Sequence, residues 1–263
     1  MRRGIESINR DASDRSNFLY GNILEQKRYI FPLDRVRGLD VLDCASGIGW
    51  GTFLAASAGA RRVVGVELSR DAVTSARKYY SGENIEYINS ALASSALPDG
   101  SFDVILSFET LEHVGEPVEF LQKLRSLAKR EATMFLSTPN GYVFKQQGQE
   151  PHNPFHFDEY TRQELNEMFA KAGWVVVEYR GQYPMTRGSE EIAAYGKYIK
   201  AYWSQLKRVA TFGVPYRFLT LVRRHLGLGL VEPAYGSSCD PVLIDGGQEP
   251  AYHYFILAPG RSQ

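Results

Sequence analysis

From about residue 38 to 180, short apolar runs alternate with longer stretches whose apolar positions recur at helical spacing. The runs Leu39–Cys44, Arg62–Glu67, Asn84–Asn89, Phe102–Phe108, Thr133–Ser137 and Trp174–Tyr179 predict six strands. Helical patterns fill Gly49–Ala58, Asp71–Tyr80, Glu116–Leu127 and Arg162–Ala172. The strand runs are nearly continuous in Val, Ile and Leu rather than alternating, as expected of strands covered on both faces. Strands interleaved with helices in this way predict an α/β fold: a Rossmann-like, doubly wound, mostly parallel sheet with helices on both sides. Two local signals bracket one helix. Thr161 with Glu164 three residues on has the spacing of a capping box, and Gly173 stands where a helix-ending glycine belongs.

After Gly181 the rhythm changes. Residues 182–248 are aromatic-rich and read as two helical pieces, Ser189–Val209 and Pro215–Leu226. A last strand, Tyr252–Ala258, closes the pattern. The expected organisation is therefore a helical N-terminal cap over 1–37 and a core over 38–181 and 249–263. A helical insertion over 182–248 is expected to lie above the functional edge of the sheet.

Composition narrows the function. Thirty Lys and Arg balance thirty Asp and Glu, so net charge gives no reason to expect a nucleic-acid partner. The segment from Ile192 to Val231 is locally basic, with Lys197, Lys200, Lys207, Arg208, Arg217, Arg223 and Arg224 and no acidic residue. It suits contact with an anionic or sugar-linked acceptor, or with a membrane surface. Tyr195, Tyr198, Tyr202, Trp203 and Leu206 recur along it at helical spacing, as in a packed lid or a homodimer face. Two cysteines far apart, Cys44 and Cys239, make neither a disulfide framework nor a zinc pattern. With a charged first stretch and no membrane-length apolar run, a cytoplasmic setting is expected.

The chemistry concentrates in Val41-Leu42-Asp43-Cys44-Ala45-Ser46-Gly47-Ile48-Gly49-Trp50-Gly51. A strand ends in a carboxylate, passes into a glycine turn and leads into a helix whose first N–H groups face outward. Glycine at 47 and 49 permits positive φ and close approach of a ligand. Glu67, at the end of the second strand, can accept both hydroxyls of a ribose. A dinucleotide site has a similar outline, but its G-x-G-x-x-G turn must admit a pyrophosphate. Here the spacing is G-x-G-x-G, and Asp43 would repel a pyrophosphate while suiting an ammonium group. A ligand with a ribose and a cationic amino-acid tail fits both carboxylates.

These residues resemble motif I of the class I S-adenosylmethionine-dependent methyltransferases. Val-Gly-Val-Glu-Leu-Ser (64–69), Leu-Pro-Asp-Gly-Ser-Phe-Asp-Val-Ile (97–105), Phe-Glu-Thr-Leu-Glu-His-Val (108–114) and Ser-Thr-Pro-Asn (137–140) are similar to its later motifs, in order and at the usual distances. The resemblance implies a seven-stranded sheet whose last strand runs antiparallel, and S-adenosylmethionine as cofactor. It places Asp43 toward the methionine ammonium, directly or through water, with Ala45, Gly47 and Gly49 against the cofactor. Glu67 would hold the ribose, Leu68 would border the adenine, and Ala91 and Leu92 would lie along it. Many relatives carry Asp where Ala91 stands, so adenine recognition here must use other groups. Phe108 and Glu109 would sit beneath the reacting methyl, and Arg28-Tyr29 would close over the methionine end.

For a hydroxyl acceptor a base assists transfer, and His113, just after the fourth strand, is a candidate. The run His152-Asn153-Pro154-Phe155-His156-Phe157-Asp158 supplies a second, His156, on the same edge. The bland reading of both is a capped loop and a Pro-containing turn. No metal is expected, because nothing in the spacing of His113, His152, His156 and Asp158 demands one. The expected activity is O-methylation of a small molecule such as a sugar or sugar-bearing natural product. Rival readings are methylation of RNA or protein, a cofactor-binding module without catalysis, and a nicotinamide oxidoreductase. The position after the fourth strand reads Ser107-Phe108-Glu109-Thr110, which speaks against amino-group methylation of bases.

Overall fold

The computed structural model describes residues 23–146, 155–182, 241–244 and 250–260. Most of the expected insertion, the N-terminal 22 residues and His152 lie outside them.

Among the described residues, eight strands form one sheet. They are β1 (Asp40–Cys44), β2 (Arg62–Glu67), β3 (Ile85–Asn89), β4 (Phe102–Phe108), β5 (Ala128–Pro139), β6 (Trp174–Gln182), β7 (Val242–Leu243) and β8 (Tyr252–Pro259). Their order across the sheet is β3-β2-β1-β4-β5-β8-β6-β7. The first five strands pair in parallel, and β8 runs antiparallel between β5 and β6. This is the predicted seven-stranded sheet with its last long strand antiparallel. The two-residue β7 is an addition at the edge, pairing with Arg180 and Gly181. Both ends of the segment expected to be a helical insertion thus belong to the sheet: Gln182 continues β6, and 242–243 form β7. β5 begins directly after the preceding helix, five residues earlier than its apolar run suggests. Residues 128–132 are more polar; Ala128 pairs with Phe102 and Thr133 with Val104, so 129–132 form an irregularity in the β4–β5 ladder between two paired positions.

The α-helices among the described residues are α1 (Ile23–Ile30), α2 (Trp50–Ser57), α3 (Arg70–Tyr79), α4 (Pro117–Leu127), α5 (Gly141–Gln146) and α6 (Arg162–Lys171). Their starts follow from local chemistry. The Ser69 hydroxyl caps α3 by accepting from Ala72 N–H, and Pro117 opens α4 where a missing N–H costs nothing. Thr161 and Glu164 make the full capping box on α6, and Gly173 follows that helix at φ +79°.

Alternation along the strands sorts side chains into two cores. Leu42, Ile105, Met134, Leu136 and Phe255 pack with Leu121, Leu124, Leu165 and Phe169 of α4 and α6. Val41, Leu106, Phe108, Phe135 and Tyr254 pack with Tyr29, Trp50 and Leu54 of α1 and α2. Asp43 lies two residues beyond Val41 on β1 and therefore faces the α1–α2 layer. Residues 67 and 108 end parallel strands and residue 43 stands one before the end of β1, so the chemically distinctive residues gather along one edge of the sheet.

Candidate functional site

The glycine turn departs from ordinary backbone at three places. Ala45, Gly47 and Gly49 have φ of +60°, +55° and +88°. Gly49 caps α2 in the left-handed conformation, and a Cβ there would lie 2.6 Å from the Tyr87 hydroxyl. That hydroxyl donates to the Gly49 carbonyl at 3.0 Å, pinning the turn from the β3 side. Gly51 is required for a different reason: a Cβ there would lie 2.2 Å from Tyr29 Cε1. The Tyr29 ring occupies that space, edge-on to Trp50 and to Phe108, each at 4.8 Å.

The two predicted carboxylates occupy contrasting settings. Glu67 Oε2 accepts the Gly47 N–H at 3.0 Å, and Oε1 accepts the Ser69 N–H at 2.8 Å. Both oxygens are thereby oriented, and each keeps a lone pair suited to a hydroxyl. Leu68 beside it is 73% exposed and presents an apolar surface. Asn89 donates to the carbonyls of Glu67 and Leu68, which brings the end of β3 and exposed Ala91 alongside them, while Leu92 is buried below.

Asp43 is wholly buried. Its Oδ1 accepts from the Tyr29 hydroxyl at 3.0 Å and its Oδ2 from the Thr52 hydroxyl at 2.6 Å. Burial pushes its pKa up from the ordinary 3.8 to about 7; the Thr52 and Tyr29 bonds oppose the rise, and the charge of Glu67 adds to it. Both of its oxygens are thus engaged inside the protein.

A second group of residues surrounds the ends of β4 and β5. Glu109 follows β4 at φ +48° and accepts from the Ser137 hydroxyl at 2.9 Å. Arg28, only 2% exposed, lies 3.3 Å from Glu109 through Nη1 and donates through Nε to the Gln182 side chain at 2.6 Å. Its guanidinium lies over the Tyr252 ring at 4.5 Å. Its Nη2 is buried and has no hydrogen-bond partner among the described residues. A guanidinium so enclosed is expected to have an anionic or carbonyl partner at that nitrogen when a ligand binds. Phe108 is buried and stacks on Tyr254 at 5.8 Å.

Next to these lies the histidine cluster. Glu112, buried, accepts from the Thr138 hydroxyl at 2.9 Å, and its pKa is raised by burial first and by the neighbouring Glu109 charge second. His113 Nδ1 lies 3.2 Å from the Phe155 carbonyl, and His156 Nδ1 lies 2.7 Å from the Glu159 carboxylate. The two imidazoles meet edge to face at 4.7 Å. Glu112, His113 and His156 each bring a potential ligand atom within 4.8 Å of the others. Asp158 instead accepts the Glu159 N–H.

The two histidines singled out in the sequence thus come together, 43 residues apart in the chain, beside the strand end that carries Glu109. Residues that sequence reasoning missed are Thr52, Glu112, Glu159, Gln182 and Tyr252. Thr52 follows directly on the glycine motif and was open to inference from the need to satisfy Asp43. Gln182 and Tyr252 reach Arg28 only through the sheet order, which no local pattern announces.

Comparison with known proteins agrees with this geometry. Residues 42–136 match the family described as a methyltransferase domain. The chain is 34% identical, over 56% of its length, to a probable S-adenosylmethionine-dependent methyltransferase of Mycolicibacterium smegmatis, and it spans just 56% of that relative. It is 32% identical over 58% of its length to a ubiquinone biosynthesis O-methyltransferase of Nitrosospira multiformis, covering 70% of it. The fold is similar to that of an S-adenosylmethionine-dependent methyltransferase from Mesorhizobium loti, with a TM-score of 0.57 at 15% identity over 90% of this chain and 99% of that one. Motif order, strand order and these likenesses converge: the chain belongs to the class I S-adenosylmethionine-dependent methyltransferases.

Proposed function

We propose that the chain transfers a methyl group from S-adenosylmethionine to a hydroxyl oxygen of a small molecule, such as a sugar or sugar-bearing natural product. The observation that carries the reading is the pairing of two features on one sheet edge. One is a carboxylate, Glu67, oriented by two backbone N–H groups beside an exposed Leu68. The other is a carboxylate-bound imidazole, His156, beside the end of the parallel strands. The first suits a nucleoside, and the second suits removal of a proton from a hydroxyl. Similarity to a ubiquinone biosynthesis O-methyltransferase supports an oxygen acceptor.

The cofactor supplies an activated methyl on a sulfonium. The chain's own residues do the rest. Glu67 accepts the ribose hydroxyls, Leu68 and the Ala91–Leu92 segment border the base, and the backbone of 45–49 lies along the tail. Asp43 and Tyr29 favour the ammonium, and Arg28 Nη2 is placed for the carboxylate end. Phe108 and Glu109 line the reacting face. An acceptor hydroxyl held in line with the methyl needs a base to take its proton. His113 and His156 are the candidates, and His156 is the stronger because a buried carboxylate supports its ring. The basic residues between 192 and 231 suit an anionic or sugar-linked acceptor.

Calorimetry with S-adenosylhomocysteine and with NAD tests the reading. Binding of the first and not the second is expected. Glu67→Ala should weaken binding by about 1–3 kcal/mol, the scale of lost hydrogen bonds to a charged group. Wild-type affinity in that variant overturns the site. Tritium from labelled cofactor should then appear in a small-molecule fraction rather than in RNA or protein.

A further inference from the structure

Glu159 lies outside the cofactor turn and carries no motif, yet it is held with unusual care. Its side chain is 2% exposed, and Oε1 lies 2.7 Å from Nδ1 of His156. Its backbone is fixed from three directions. The Glu159 N–H donates to Asp158 Oδ1 at 2.8 Å. The next carbonyl, of Tyr160, accepts from the Gly141 N–H at 3.0 Å and faces His253 Nε2 at 3.2 Å. Helix α5 starts so close to this segment that a Cβ on Gly141 would lie 2.1 Å from the Glu159 carbonyl oxygen. Glycine at 141 is what lets the two segments touch.

We infer that Glu159 is a positioning residue: it holds His156 as the Nδ1–H tautomer, with Nε2 as the nitrogen that takes the acceptor's proton. The inference rests on the O-methyltransferase reading above. Its physical basis is the imidazole's asymmetry. An ionised carboxylate can only accept, so the proton between Glu159 and His156 belongs to Nδ1, and Nε2 keeps its lone pair. As transfer proceeds, the acceptor oxygen gains its bond to the methyl carbon. The carbon–sulfur bond opens with its electron pair left on sulfur, and the hydroxyl proton passes to Nε2. The imidazolium so formed has a negative partner already in place, which stabilises it without reorganisation. His113 Nδ1 faces a backbone carbonyl instead, and the ring is exposed. Edge-on packing of His113 against His156 instead steadies the plane of the second ring.

The test reads the tautomer directly, so it needs no knowledge of the acceptor. In the full chain labelled with 15N, long-range proton–nitrogen correlations of the His156 ring, assigned by their loss in His156→Gln, should show Nδ1–H in the wild type. In Glu159→Ala the ratio of Nδ1–H to Nε2–H should fall by about tenfold or more, as for one lost charge-assisted hydrogen bond. Glu159→Gln is nearly isosteric and guards against misfolding; it should lower the ratio too, because an amide can donate as well as accept. Glu159→Asp should restore part of it. S-adenosylhomocysteine affinity should stay within twofold of wild type in all three. An Nε2–H tautomer in the wild type, or a ratio unchanged in both Ala and Gln variants, overturns the assignment. So does stoichiometric zinc retained by the purified chain and lost in His156→Gln, since Nε2 would then serve a metal. Failure of the wild type to bind S-adenosylhomocysteine sinks the methyltransferase reading instead, and the tautomer result separates the two.

Discussion

A buried carboxylate beside a cofactor turn is a compromise between two demands. Asp43 must be charged to favour a cation, yet burial works against its charge, and only Thr52 and Tyr29 oppose that cost. With its pKa pushed up to about 7, Asp43 loses its proton as pH rises through neutrality. The ionised form attracts an ammonium, and the neutral form does not. Affinity for S-adenosylhomocysteine should therefore rise as pH increases across about 7, and calorimetry over that range should show the slope flattened in Asp43→Asn. Gly51 offers a steric test at the same site. In Gly51→Ala the new methyl meets the Tyr29 ring, which is locked between Trp50 and Phe108. Thermal unfolding should report a loss of about 1–3 kcal/mol, typical of an overpacked core, with weaker cofactor binding alongside. The glycine itself was visible in the motif, but its reason was not. Nothing near residue 51 in the chain says that an aromatic ring from position 29 fills the place of its side chain.

Among the elements, those with strong local signals came out as expected. The capping box at Thr161 and Glu164 forms in both directions, with Thr161 N–H donating to Glu164 at 2.7 Å. Thr161→Ala should cost about 0.5–2 kcal/mol of stability, measured by urea unfolding, with cofactor affinity unchanged because α6 lies away from the glycine turn. Where elements differ from expectation, a neighbour outweighed local pattern. Residues 128–132 include Lys129, Arg130 and Glu131 and look like a loop, but β5 extends through them because the ladder with β4 is anchored on both sides, at Ala128 by Phe102 and at Thr133 by Val104. Strand pairing satisfies backbone groups whatever the side chains prefer, so polar residues at a sheet's end are poor evidence against a strand. The two-residue β7 is beyond any periodicity signal, being no longer than one repeat of the alternation.

At the scale of the whole molecule, the last long strand matters most. β8 enters antiparallel between β5 and β6 and carries Tyr252, His253 and Tyr254 to the functional edge. His253 is fully buried; Nδ1 lies 2.9 Å from the Tyr179 hydroxyl and Nε2 3.2 Å from the Tyr160 carbonyl, so the ring ties β6 to the segment that bears Glu159. Burial lowers its pKa from 6.5 to about 4. A histidine pKa depressed on folding contributes stability that is intact above 6.5 and is lost as pH falls through about 4. The acid-side loss tied to this group is on the order of 3 kcal/mol. Urea unfolding at about pH 7 and about pH 4 should show that loss removed in His253→Gln, as a smaller fall in stability between the two conditions. No helix among the described residues is long and apolar enough to cross a membrane.

Read alone, the sequence determined the alternation of strands and helices, the glycine turn and its two carboxylates, and the caps that begin and end helices. All of these depend on interactions within a few residues, where spacing is a sufficient record of geometry. The tertiary structure decided which distant groups meet. It turned Asp43 inward onto Tyr29 and Thr52, gathered Arg28, Glu109, Gln182 and Tyr252 from four separate stretches, and set Glu159 behind His156. Contacts of that kind are chosen by strand order and by the need to satisfy buried polar groups, and a linear chain keeps no local trace of either.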